Sequence, residues 1–312
     1  MKLRSLLVAG VGAIGLAAVG NRLAGRRVDD LDPALSGDQR TYRWRGMDVA
    51  YTEAGDPEAP DLLLVHGVNA AASSQEFSEV FDDLAEHYHV IAPDLPGFGL
   101  SDRPPLLYSG SLYTAFVTDF ARDVTEDATC VASSLSAAYA VEAASEGVVS
   151  RLVLICPTTG TMSEARPLVR SLVRTPLVGT ALYNLIASKP SIRYFSADHS
   201  YYDTDAMDRE EIEYLWETSH QPGARFAPAS FIGGFLDRPM DLSEALSELD
   251  VPVTLVWGRE AEVTPLAEGR DLADEANAKL VVIDRARLLP HAEHPQQFVE
   301  IVEEELPRAE HD

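Results

Sequence analysis

The chain has 312 residues, 46% of them hydrophobic, enough for one large α/β domain with a full core. Asp and Glu number 50 against 25 Lys and Arg, for a formal net charge of −25 at pH 7. A surface this anionic repels nucleic-acid phosphates and excludes a nucleic-acid partner.

Residues 1–27 read MKLRSLLVAGVGAIGLAAVGNRLAGRR, with an uncharged, mostly apolar run at residues 5–20 between basic flanks. As a helix that run spans about 24 Å, short of the roughly 30 Å hydrocarbon core. Ala18-Val19-Gly20 fits a small-x-small cleavage site, but Arg22, Arg26 and Arg27 follow it and resist translocation. The expectation is an uncleaved, loosely membrane-bound helix, so a membrane-associated or cytoplasmic protein. A soluble N-terminal helix is the alternative. Residues 28–38 form a polar linker.

Gln39–Arg45 and Met47–Glu53 read as a hairpin turned at Gly46. Asp61–Val65 (DLLLV) is a continuous apolar run of buried-strand type. Gln75–Glu86 has helical spacing, with Phe77, Val80, Phe81 and Leu84 on one face. His89–Ala92 is a strand, Leu112–Asp123 a helix, Thr129–Ala132 a strand, Leu135–Ala144 a helix and Arg151–Cys156 a strand. Strands return at Val251–Trp257 and Lys279–Ile283, with helices near Ala267–Ala276 and at Gln296–Glu305. This alternation predicts an α/β fold with a mostly parallel sheet. Between Pro157 and Asp250 it stops, and only helical patterns occur, at Val169–Val173, Val178–Ile186, Arg209–Thr218 and Leu242–Leu249. A helical insertion after a strand C-terminus lies over the ligand crevice. Cys130 and Cys156 fall in strand runs and read as buried free thiols. His87 and His89 are the only H-x-H pair, a poor metal site beside a strand. No Walker A, no G-x-G-x-x-G after a strand and no metal cluster is present, so no cofactor is expected.

The order of motifs is specific. DLLLV runs into "HGVNAAASS", HVIA into "PDLPGFGLSDRP" and TCVA into "SSLSAAYAVEAA"; after the insertion come "VPVTLVWGREAEVTPLAEG" and "LVVIDRARLLPHAEHPQQF". Over residues 39–306 this resembles the α/β-hydrolase fold family, in its capped form. The resemblance implies an eight-stranded, mostly parallel sheet with helices on both faces and a cap after the sixth strand. Core segments then cover 39–157 and 251–306, the cap 158–250 and an acidic tail 307–312.

By the same resemblance, Ser134 holds the nucleophile position, with Ala132 and Ser136 in place of the two glycines of G-x-S-x-G. Both are small, so the tight turn can still form. Ser133 is one position off, and either serine also suits a helix N-cap. His66-Gly67 resembles the oxyanion loop, which makes the Val68 and Leu135 amides the donors. Asp94, Gly97 and Gly99 shape the loop after the fourth strand.

The acid position of W-G-x-x-D-x-x-x-P is Ala261, and the base position of G-H-x-x-H-x-E-x-P is Leu288. The alternative acid site after the sixth strand reads Cys156-Pro157-Thr158. His291 is the candidate substitute base, with His199 and His220 available in the cap, and Glu260 and Glu262 are candidate substitute acids.

The family resemblance implies a serine hydrolase by descent, acting on an ester or similar carbonyl substrate, with weak or no triad chemistry. The alternative is a non-catalytic member that binds a small apolar ligand or a partner protein. A non-hydrolytic reaction on the same fold ranks below both, because it too needs the histidine. The acidic, lysine-poor composition resembles proteins of extreme halophiles, where molar salt screens self-repulsion.

Overall fold

A computed structural model describes residues 31–162, 164–203, 207 and 209–306. The expectations for residues 1–27 and 307–312 lie outside the described residues. Among the described residues no helix is long and apolar enough to cross a membrane.

Eight strands form one sheet in the order β1-β2-β4-β3-β5-β6-β7-β8. They are β1 Asp38–Trp44, β2 Met47–Ala54, β3 Asp61–Val65, β4 His89–Pro93, β5 Thr129–Ser133, β6 Arg151–Ile155, β7 Val253–Gly258 and β8 Lys279–Ile283. β2 runs antiparallel to β1 and β4, and every other pairing is parallel. The β1–β2 turn places Arg45 at φ +47° and Gly46 at φ +86°, the two left-handed residues a tight hairpin needs.

Alternation along the central strands sends side chains to two cores. Leu63, Cys130, Ala132, Leu152 and Leu154 join one cluster, with helices α2 (Gly110–Val124) and α3 (Ser136–Ser145). Leu62, Leu64, Val131, Val153 and Ile155 join the other, with α1 (Ser78–Ala85) and α12 (Pro295–Glu305). Both faces are covered, which is why these strands read as unbroken apolar runs.

Between β6 and β7 lie α4 (Pro167–Arg174), α5 (Val178–Ile186), α6 (Lys189–Phe195), a π-helical turn at Ser196–Ser200, α7 (Arg209–His220), α8 (Phe226–Ile232) and α9 (Leu242–Ser247). The sequence reading missed α6 and α8. Each is under two full turns and carries a proline, Pro190 or Pro228, which only an early helical position tolerates. α9 places Leu246 in the main core and packs on α3 and on α10 (Leu266–Ala276). It therefore joins the core layer, and the helices over the crevice are α4 to α8. The closing helix α12 follows a single turn, α11 (Pro290–Glu293).

Candidate active site

β5 ends at Ser133 and α3 begins at Ser136, leaving Ser134 on the corner at φ +52°. A non-glycine residue is strained there, by about 1–3 kcal/mol. The surroundings impose it. The Ser134 amide donates to Ile155 O at 2.8 Å, and Ser134 O accepts from Ala137 and Thr158 amides at 3.2 Å each. The turn forms without its two glycines. Ala132 is buried, and Ser136 contributes a bond glycine cannot make, its hydroxyl donating to His66 O at 2.6 Å.

His66 is neutral. It accepts the Leu95 amide on Nε2 at 3.0 Å, so Nδ1 carries the proton donated to Gly67 O at 2.6 Å. Burial lowers its pKa. Asp94 accepts the Ser74 and Leu100 amides, each at 2.7 Å, and so ties the neighbouring loops together. A Cβ on Gly99 would lie 2.0 Å from the Asp94 carboxyl carbon, so only glycine fits. The amides of Val68 and Leu135 are buried and donate to no acceptor among the described residues. Two buried orphan amides are rare, and here they flank the strained serine.

The three positions that the sequence resemblance assigns to the acid and base lie together. Cys156, Ala261 and Leu288 pack with Trp257 and Leu266 in one small apolar cluster. The Cys156 thiol donates to Arg287 O at 3.8 Å, and burial pushes its pKa up to about 12, so it carries no thiolate.

Apart from His291, the substitute groups are engaged elsewhere. Glu260 accepts the Ala286 amide at 3.1 Å. Glu262 is exposed and pairs with Arg287 at 3.5 Å. His199 faces Asp198 on the cap surface, and His220 stacks on Trp216 with Nδ1 against Trp216 O at 2.8 Å. His87 meets Glu303, His89 meets Asp61, and His294 meets Arg285 O. His291 is 0% exposed between Phe77 and Phe298, with Nε2 3.6 Å from Glu76 Oε1. Among the described residues, no histidine bonds the Ser134 hydroxyl.

Glu76 is the site residue that the sequence reading missed. Its Oε2 accepts the Gly67 amide at 2.9 Å. A Cβ built on Gly67 would sit 3.1 Å from that oxygen, 3.3 Å from Ser133 Oγ and 3.6 Å from Ser134 Cβ. The carboxyl thus lies against the nucleophile corner, under the oxyanion loop. Burial raises its pKa to about 7, and the same burial lowers that of His291 to about 3. Glu76 lies in a single 3-10 turn, Ser74–Phe77, ahead of α1, so no helical period marks it in the sequence.

Arg103 lies at the join of cap and core. A Cβ on cap residue Gly223 would come within 2.4 Å of Arg103 O. Its Nε and one terminal nitrogen are covered and have no acceptor among the described residues, with Asp94, Tyr108, Tyr183 and Tyr214 nearby. Tyr183 donates to Ala70 O at 2.7 Å and seats the cap on the oxyanion loop.

Residues 62–301 match the model of the alpha/beta hydrolase family. The chain belongs to that family. It is 25% identical over 267 residues to 2-hydroxy-6-oxo-6-(2'-aminophenyl)hexa-2,4-dienoic acid hydrolase of Metapseudomonas resinovorans, covering 81% of this chain and 85% of that one. It is 29% identical over 254 residues to a pimeloyl-[acyl-carrier protein] methyl ester esterase of Aeromonas salmonicida, covering 78% and 94%. Among solved structures, 2-hydroxy-6-oxo-6-phenylhexa-2,4-dienoate hydrolase from Rhodococcus sp. superposes with a TM-score of 0.70 at 19% identity, covering 86% of this chain and 98% of that one.

Proposed function

We propose that this protein descends from serine hydrolases and binds a small carbonyl-bearing ligand beneath its cap, with little or no hydrolysis. One observation carries the reading. The strained Ser134 stands beside the Val68 and Leu135 amides, which donate to no protein acceptor among the described residues, and no imidazole there bonds its hydroxyl. A serine hydroxyl without a base is a weak nucleophile at neutral pH. The oxyanion hole still polarises a carbonyl, but alone it leaves only roughly 10³–10⁴-fold catalysis over water. The ligand is apolar along the crevice. The named substrates of several relatives, such as the dienoic acid above, combine a carbonyl with a carboxylate.

A fluorophosphonate probe tests the missing base. Ser134 is expected to label hundreds of times more slowly than a triad serine, following the roughly 10²–10⁴-fold worth of a positioned base. Rapid labelling that Ser134→Ala abolishes would overturn this reading. It would favour the second one, a rearranged hydrolase, for which the specific observation is Glu76. That carboxyl lies at the nucleophile corner with a pKa of about 7 and His291 behind it.

The acidic surface is read as an adaptation to salt. With a net charge of −25, the folded state repels itself, and screening relieves this. The melting temperature is expected to rise by several degrees between about 0.1 M and about 2 M KCl, where the Debye length shrinks from about 10 Å to under 3 Å. A flat or falling melting curve would contradict it.

A further inference from the structure

The cap inverts the charge of the rest of the molecule. From Ala165 to Ala197 the chain has no Asp or Glu, although these number 50 of 312 residues. The same stretch carries Arg166, Arg170, Arg174, Lys189 and Arg193. Arg166 and Arg193 are exposed and pair with no carboxylate among the described residues, whereas Lys189 pairs with Glu213. Strongly exposed apolar side chains gather in the same place. Apart from Tyr202 and Val263, every such large side chain among the described residues lies in this stretch or in the Leu106–Leu107 loop. Arg174 holds that loop through the carbonyls of Pro105 and Leu106.

Leu168 is 84% exposed, Leu185 69% and Tyr194 62%. They face outward because Val173, Tyr183 and Ile192 of the same helices are buried. A monomer gains nothing from Leu168 or Tyr194 in water. A cationic, apolar helical face matches an interfacial surface-binding element. Elsewhere the molecule is so acidic that an anionic surface would repel it, which leaves this face as the one that can approach.

We propose that the outer face of α4, α5 and α6 docks on an anionic phospholipid surface. Leu168, Leu185 and Phe195 enter the headgroup boundary, and Arg166 and Arg193 meet lipid phosphates. The inference is independent of whether Ser134 turns over substrate. Stable membrane binding takes two weak signals, and the apolar run at residues 5–20 between basic flanks supplies a second.

The test uses the full chain with one added cysteine at a time, Leu168→Cys, Phe195→Cys or Glu268→Cys, labelled with an environment-sensitive fluorophore. Cys130 and Cys156 are buried and do not compete. On phosphatidylglycerol vesicles at about 0.15 M salt, the labels at 168 and 195 are expected to shift to the blue, and the label at 268 to stay unchanged. Phosphatidylcholine vesicles should give little shift. Adding Arg166→Glu and Arg193→Glu should weaken the response about 30-fold or more, since each basic residue near such a surface contributes about fivefold. Three results would overturn the proposal. One is unchanged labels on a chain that still sediments with the vesicles, which assigns binding to residues 1–27. Another is no binding at all. The third is a blue shift without vesicles that is lost on dilution, which assigns the face to a second copy of the chain.

Discussion

The double variant Ala261→Asp/Leu288→His is expected to hydrolyse p-nitrophenyl esters about 10²–10⁴-fold faster than the wild type, with the gain lost when Ser134→Ala is added. The reason is geometric. Ala261 and Leu288 already pack in one cluster after β7 and β8, so the new carboxylate and imidazole would be neighbours. The corner that presents Ser134 and the amides of Val68 and Leu135 is formed. On the proposed reading, what is absent is an acceptor for the serine proton.

The two changes should be strongly non-additive. Leu288→His alone restores a base without its orienting partner and recovers part of the rate. Ala261→Asp alone recovers none, because the acid acts through the imidazole. Removing Leu288 from its apolar contacts costs about 1–2 kcal/mol, so melting temperatures must be read beside the rates. A folded double variant with wild-type rates would show that the corner is not in a productive geometry.

Glu76→Gln is expected to change the pH dependence of stability by about 3 kcal/mol between pH 4.5 and pH 8. Glu76 has its pKa raised to about 7 in the folded protein, against about 4.3 in an unfolded chain. Between those values the folded state holds more protons than the unfolded one. Its contribution is therefore present at low pH and lost as pH rises through 7. His291 runs the other way. Its pKa is lowered to about 3, against about 6.5 unfolded, so its contribution is present above 6.5 and lost as pH falls toward 3.

The two slopes oppose each other between about pH 4.5 and 6.5, and the wild type should be nearly flat there as far as this pair is concerned. Glutamine keeps the shape and can still accept the Gly67 amide, but it cannot ionise. The variant should therefore gain on the wild type steadily as pH rises, and urea titrations at several pH values measure the difference. Parallel stability curves would mean that Glu76 is ionised throughout, with His291 charged beside it.

Much of the fold was legible because burial writes directly into sequence. DLLLV, RLVLI and KLVVI are apolar without alternation because helices cover both faces of a parallel sheet. Their order with the HG, GFG and SxS turns pointed to one architecture. The short cap helices α6 and α8 were not legible, since prolines and a length under two turns hide their period. The candidate site divided in the same way. Ser134, Val68 and Leu135 follow from chain order. Glu76 did not, because a lone glutamate among 50 acidic residues carries little information until its carboxyl is seen against Gly67.

Sequence alone determined the alpha/beta hydrolase architecture and the place of Ser134 at the turn between β5 and α3. These are properties of local pattern and chain order, which a linear text contains. Only the tertiary structure decided that no histidine among the described residues bonds the Ser134 hydroxyl, because distance between remote segments is set by packing. It also brought Cys156, Ala261 and Leu288 into one dry cluster and placed Glu76 under the oxyanion loop. It turned the apolar residues of the cap outward, since a helix pattern names two faces without saying which one meets the core.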